Sequence, residues 1–394
     1  MQKIKRQLAA EVLAMSRLYP IVTIVGPRQS GKTTLAKMLF PKKPYISMES
    51  PDERAIAEND PVAFFSQFKN GAIIDEVQRV PHLLSYLQTI VDAKEKNGLF
   101  ILTGSNQLQL QEAISQSLAG RTAILKLLPF SIAEIKKIKS QNVEKLDFAA
   151  ERYIFHGAYP KIYKDEINPT KFYRDYLQTY IERDVRQLIN LQDLRQFQIF
   201  LKLCAGRVGQ IFNAQNLANE VGVSHTTIQK WLGVLEASFL IFKLSPYFEN
   251  FGKRVIKSPK IYFTDVGLAC YLLDIRSEQQ LSRDPLRGGL FENFVILEMY
   301  KHQMNKGLEP SFYFYRDSNG NEVDCLYKDG SALTPIEIKA AQTFDKKFFS
   351  GVNKFSEVCG KRAKRGVVVY GGKRNHKIQE MQFLGFESVD KIFM

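Results

Sequence analysis

Residues 26–33 read Gly-Pro-Arg-Gln-Ser-Gly-Lys-Thr, set between the apolar run Ile21 to Val25 and the helical pattern Thr34 to Phe40. This spacing suits a polyphosphate. Gly26 and Gly31 let the backbone curl, so that the N–H groups of the loop carrying Pro27, Arg28, Gln29 and Ser30 point at a β-phosphate. Lys32 reaches the β- and γ-oxygens, and Thr33 offers its hydroxyl to Mg²⁺. Further on, Gly71-Ala-Ile-Ile-Asp-Glu-Val is an apolar strand ending in adjacent carboxylates. That pair suits ATP hydrolysis, with Asp75 holding the Mg²⁺ shell and Glu76 orienting and deprotonating the attacking water. Leu99 to Thr103 reads as another strand, closing on Gly104-Ser105-Asn106, and it puts small polar groups at the carboxyl edge of a sheet. After a helical Gln107 to Leu118, Gly120-Arg121 enters the strand Thr122 to Leu128. Arg121 is expected beside the phosphate edge, where it neutralises γ-phosphate charge in its own subunit or in a neighbour of a homo-oligomer; a surface arginine is the plain alternative.

A second constellation lies near the C-terminus. Phe291-Glu-Asn-Phe-Val-Ile-Leu-Glu reads as a helix with Glu292 among apolar neighbours, an unusual place for an unpaired carboxylate. Phe312 to Arg316 is a strand, Asn319-Gly320 a turn, and Glu322-Val-Asp324-Cys-Leu-Tyr its hairpin partner. Thr334-Pro-Ile-Glu337-Ile-Lys339-Ala alternates again, with Glu337 and Lys339 on one face. Asp324 and Glu337 on adjacent strands suit a hard cation such as Mg²⁺, and Lys339 beside them positions or activates water for metal-assisted phosphodiester cleavage. A structural salt-bridge cluster uses the same residue types.

The N-terminal residues resemble the AAA+ and related P-loop ATPases in which a glutamate directly follows the metal-binding aspartate. The resemblance implies a parallel sheet in the order 5-1-4-3-2 and makes Ser105 or Asn106 the sensor of the γ-phosphate. The C-terminal residues resemble the PD-(D/E)xK nuclease superfamily. Asp324 matches its first acidic residue, Glu337 and Lys339 its E-x-K, and Glu292 its acidic helix residue, implied as a further metal ligand. Gln342 follows where several members carry a glutamine, and Val323 replaces the usual proline.

Other elements must position these groups. Ser131 to about Gly206 is helical in pattern, densely charged, and carries Arg183 as a second candidate arginine for the nucleotide. Asn213 to Glu220 makes a short helix, Gly222 a tight turn, and Ser224 caps a helix with His225, Thr226, Thr227, Gln229 and Lys230 outward. Phe239 to Tyr247 and Lys260 to Phe263 then read as strands around a basic loop, completing a winged helix. The chain of 394 residues, 45% hydrophobic, is long enough for two or three domains. No apolar run approaches the roughly 18 residues of a membrane span, and Cys204, Cys270, Cys325 and Cys359 lack metal or disulfide spacing, as in a reduced cytoplasmic protein. The net charge of +14, with clusters at Lys253, Arg254, Lys257 and Lys260 and from Lys361 to Arg374, points to a nucleic-acid partner, DNA foremost, with a protein partner as the alternative.

Nearly the whole length resembles a prokaryotic family of ATPases that joins an AAA-type core to a C-terminal domain of unknown function, DUF4143. Matching stretches include Gly26-Pro-Arg-Gln-Ser-Gly-Lys-Thr-Thr34, Ile74-Asp-Glu-Val-Gln, Leu118-Ala-Gly-Arg, Lys260-Ile-Tyr-Phe-Thr-Asp-Val-Gly-Leu and Leu290-Phe-Glu-Asn-Phe-Val. The expected α/β chain has an AAA-type ATPase core (1–130), a helical lid or connector (131–206), a winged helix (207–263) and an α+β nuclease-like domain (264–394).

Overall fold

The structure, a computed structural model, describes residues 4–105, 114, 116–138, 149–181, 194–247, 258–317, 320–343, 345–378 and 381–394. The chain divides into two compact units. The first is Met1–Phe130 with the short pieces Ala237–Phe239 and Gln303–Leu308; the second holds Ser131–Glu236, Leu240–His302 and Glu309–Met394. Asn106, Arg183, Lys253, Arg254, Lys257 and Asn319 lie outside the described residues, as does the expected helix Gln107 to Leu118 apart from residues 114 and 116–118.

Five strands form the sheet of the first unit: β1 (Ile21–Val25), β2 (Tyr45–Ser47), β3 (Ile73–Asp75), β4 (Phe100–Gly104) and β5 (Thr122–Lys126). Their order is β2-β3-β4-β1-β5, the expected 5-1-4-3-2 read from the other side, and every pairing is parallel. Strand β1 lies inside the sheet between β4 and β5 and is buried along its whole length, which is why it reads as an apolar run broken only by Thr23. Val22 and Ile24 pack with Leu8, Val12, Leu35 and Leu125, each such side chain contributing about 1.5–3 kcal/mol by burial. Because the strands are parallel, Val25, Ser47, Asp75 and Gly104 all arrive at one edge.

Eight strands form the sheet of the second unit: β6 (Ile241–Pro246), β7 (Lys260–Phe263), β8 (Phe312–Arg316), β9 (Glu322–Asp329), β10 (Ala332–Lys339), β11 (Val367–Tyr370), β12 (His376–Ile378) and β13 (Met381–Gly385). The order is β12-β13-β11-β10-β9-β8-β6-β7. Strands β8, β9 and β10 form an antiparallel meander, and β10 pairs β11 in parallel. Before β6 come the helices Ala214–Val221 and His225–Ala237. Asn213 caps the first, Gly222 ends it in the left-handed region (φ 77°), and the Ser224 hydroxyl accepts from Thr227 N–H. Ile228, Trp231, Leu232 and Leu235 are buried, while His225, Thr226, Gln229 and Lys230 are exposed. Strands β6 and β7 form an antiparallel hairpin, and the end of β6 also pairs β8 in parallel, Ser245 with Tyr313 and Pro246 with Phe314. The hairpin is therefore continuous with the sheet that carries Asp324 and Glu337. No helix among the described residues is long and apolar enough to cross a membrane.

Candidate active site

The phosphate-type loop leaves β1 at Val25. A Cβ on Gly26 would lie 2.2 Å from the Leu127 carbonyl oxygen, so only glycine fits there; Gly31, at φ 95°, opens the helix Lys32–Leu39. Arg6 holds the loop from the side, donating to the carbonyls of Ser30 and Leu128 at 2.6 Å each, with its guanidinium 4.9 Å from the Phe130 ring centre. The Lys32 ammonium is buried and donates to the carbonyls of Gly26 and Pro27, both at 2.9 Å. Burial lowers its pKa to about 8, against the attraction of Glu76 and Asp75. Ser30 is buried, Arg28 lies 3.8 Å from Glu49, and Thr34 is exposed on the first helical turn.

Asp75 ends β3 as the focus of three hydroxyls. Thr33 Oγ1 donates at 2.9 Å to Oδ1 and 3.1 Å to Oδ2, Tyr45 Oη donates at 2.8 Å to Oδ2, and Thr103 donates to Oδ1. Loop hydroxyl and strand carboxylate thus meet as a Mg²⁺ site requires, and these residues fit that ion. Glu76 follows in the left-handed region at φ 54°, a conformation that costs a non-glycine residue energy and often marks a functional position. The turn aims its carboxylate at Ser105, whose Oγ donates to Oε2 at 2.9 Å, and at Gln78, whose amide nitrogen donates to the same oxygen.

The second cluster is built differently. Asp324 Oδ2 accepts from Ile338 N–H at 2.8 Å, which ties β9 to β10 beside Glu337. Lys339 Nζ lies 2.5 Å from Glu337 Oε1 and 3.6 Å from Asp324 Oδ2. Burial, and next Asp324, raise Glu337 to about 7 although Lys339 opposes this; its Oε2 is buried without a hydrogen-bond partner. Glu292, on the helix Arg287–Asn305, accepts from Tyr262 Oη at 2.5 Å and lies 3.2 Å from Lys260 Nζ. Lys260 Nζ also reaches Glu322 at 2.8 Å. Burial raises Glu292 to about 7, with Lys260 opposing and Asp324 reinforcing. Against its own burial penalty, Lys260 is held above the ordinary lysine range by Glu292, Asp324 and Glu322.

Three family models match: an AAA domain over residues 18–136, a domain of unknown function, DUF8612, over 147–279, and DUF4143 over 287–389. An uncharacterized protein of Mycobacterium tuberculosis is 30% identical over 346 residues, 86% of this chain and 74% of that protein. The chain belongs to the AAA–DUF4143 family. An uncharacterized protein of Methanocaldococcus jannaschii is 26% identical over 338 residues, 74% of this chain and 70% of that protein. A Walker-type ATPase of Pyrococcus abyssi has a TM-score of 0.45 and 14% identity, covering 68% of this chain and 94% of that one.

Within this AAA–DUF4143 chain, three expectations are corrected. Arg121 does not enter β5 at the phosphate edge. Because β5 runs parallel to β1 with Thr122 beside Ile21, its start lies at the opposite, amino edge, where Arg121 accepts from Ile21 N–H through its carbonyl and holds Asp92 by two bonds of 2.7 and 2.9 Å. Lys260 is not part of an exposed basic wing: it is 3% exposed, drawn in by Glu292 and Glu322. Glu292 does not stand free as a metal ligand beside Asp324 and Glu337, since Lys260 and Tyr262 both hold its Oε1. Among the described residues no three His, Cys, Asp or Glu side chains stand together as a metal group.

Sequence reading missed Arg6, Tyr45, Thr103 and Gln78 around the first site and Tyr262 at the second. Thr103 had one usable signal, since it follows Leu102, the partner of Ile74 on parallel strand β4; Tyr45 starts β2 opposite Ile73 and reaches Asp75 only through its long side chain.

Proposed function

We propose that this chain binds ATP with Mg²⁺ at the loop site, hydrolyses it, and uses nucleotide state to govern the handling of nucleic acid, DNA foremost, by its second unit. One observation carries the reading: Lys32, Thr33 and Asp75 converge at the sheet edge with Glu76 turned toward Ser105. Lys32 and the loop amides hold the β- and γ-phosphates, Thr33 and Asp75 hold the ion, and Ser105 stands where the γ-phosphate is sensed. Mg²⁺ supplies charge neutralisation on the phosphates. Glu76 orients the attacking water and takes its proton. The helix pair Ala214–Val221 and His225–Ala237 with its hairpin supports a winged-helix reading, its exposed polar face and the net charge of +14 suiting a phosphate backbone. Phosphate release by wild type and Lys32→Ala tests the first half. DNA anisotropy with and without a non-hydrolysable ATP analogue, at two salt concentrations, tests the second.

The C-terminal cluster divides two versions of this function. In one, Asp324 and the orphaned Glu337 Oε2 hold a divalent cation and Lys339 positions water for phosphodiester cleavage. In the other, the chain is an ATP-controlled switch whose nuclease-like part only binds DNA or a protein partner. The pairing of every cluster carboxylate with Lys260 or Lys339 favours the switch. Nicking of plasmid with Mg²⁺ or Mn²⁺ by wild type, abolished in Asp324→Ala, returns the cluster to catalysis.

A further inference from the structure

Directly after Glu76 the chain makes one 3₁₀ turn, Val77–Arg79, which brings the Gln78 side chain back over the acidic end of β3. Its amide nitrogen donates to Glu76 Oε2 and lies 3.4 Å from Ser105 Oγ. The amide orientation follows from charge, because an amide oxygen turned to the carboxylate would place two acceptors face to face. The Gln78 carbonyl oxygen therefore faces the other way, and it is buried with no hydrogen-bond partner. A buried orphan acceptor costs about 1–3 kcal/mol. Both donors to Glu76 also fall on one oxygen, Oε2, while among the described residues no hydrogen bond engages Oε1. Glu76 Oε1 and the buried Gln78 Oε1 are thus two acceptors with no hydrogen-bond partner among the described residues, on side chains joined to each other just beyond Asp75.

Water has two hydrogens to donate. We propose that Gln78 is a second catalytic residue of ATP hydrolysis, holding the attacking water jointly with Glu76; this rests on the ATPase reading above. The water donates one hydrogen to the Glu76 carboxylate and one to Gln78 Oε1, which turns an oxygen lone pair toward the γ-phosphorus. The new P–O bond forms as the bond to the β–γ bridging oxygen breaks, the proton passes to Glu76, and ADP and inorganic phosphate leave. Gln78 exchanges no proton. Its amide nitrogen keeps Glu76 in place, and its carbonyl removes the freedom that one acceptor alone leaves to the water.

The test uses the full chain. Gln78→Met keeps the side-chain length but removes both hydrogen-bonding ends, and Gln78→Asn keeps the amide but withdraws it by one methylene. Both are expected to lower kcat about 100-fold at every pH measured, with the Kd of a fluorescent ATP analogue and Mg²⁺ within twofold of wild type. A kcat within threefold of wild type while Glu76→Gln is inactive overturns the proposal and leaves the ATPase reading intact. An upward shift of the acid limb with full activity regained at higher pH also overturns it, since Gln78 then acts only by holding Glu76. Wild type that releases no phosphate, or Glu76→Gln that turns over at the wild-type rate, removes the ATPase reading and the proposal with it.

Discussion

Among the described residues, the Asp75 and Glu76 carboxylates accept hydrogen bonds only from neutral groups: the hydroxyls of Thr33, Tyr45, Thr103 and Ser105 and the amide of Gln78. Glu292, Glu322, Asp324 and Glu337 instead meet the ammonium groups of Lys260 and Lys339. Neutral donors fix the direction of a carboxylate without cancelling its charge, so the first pair keeps its field for a cation. The second group of four carboxylates carries three cations within the protein, since Arg316 also lies 3.6 Å from Glu322. A carboxylate cluster is thus better judged by the charge of its partners than by the number of its oxygens.

The strongest way to break this contrast is Glu76→Gln. Turnover should fall by about 10² to 10⁴ with ATP binding retained, read by phosphate release and by titration of a fluorescent ATP analogue. Persistent turnover would mean that the neutral shell around Glu76 serves packing alone. Next, Lys260→Met leaves Glu292 and Glu322 without their ammonium, and the loss of one partner from a buried pair costs about 3–5 kcal/mol. Urea unfolding should show that loss and Lys260→Arg should restore part of it; a cost under about 1 kcal/mol would show that the cluster is not held by charge.

The pH response sharpens the comparison further. Glu337 titrates near 7 in the folded chain, above the ordinary carboxylate value, so between these values the folded state binds more protons than the unfolded one. Its contribution to stability is therefore present at acid pH and lost as pH rises toward and through 7. Glu337→Gln should flatten that slope in urea midpoints taken at pH 5, 6 and 7. The smallest effect is expected at Arg121. With its guanidinium exposed on Asp92 at the amino edge, Arg121→Ala should leave basal turnover unchanged at low protein concentration. A loss that appears only as protein concentration rises would assign it to a neighbouring subunit's site.

The parts of the fold read most directly from sequence were those whose signal is local. Gly26 to Thr33 packs its chemistry into one turn, and β1 declares itself as an apolar run because both of its faces are buried. The helix pair with Gly222 between its members was legible for the same reason: cap, turn and apolar spacing lie within about two dozen residues. Arg121 was misplaced because its edge depends on the direction in which β5 runs against β1, which its own residues do not encode. Lys260 reads as one more base in a basic stretch, and only Glu292, 32 positions later, reveals why it is buried. Gln78 carried no pattern of its own, since its meaning comes from the reversal of the chain at Glu76 and from Ser105 on another strand's end.

Strand β6 continues into the sheet beside β8, and β7 delivers Lys260 to Glu292. Residues 287–389 therefore depend on the hairpin that precedes them. A transplanted segment of that length would arrive with a bare strand edge at β8 and with Glu292 and Glu322 lacking the Lys260 ammonium. A portion that keeps both contacts begins no later than Ile241, and a change at position 260 is expected to be matched by one at 292 or 322.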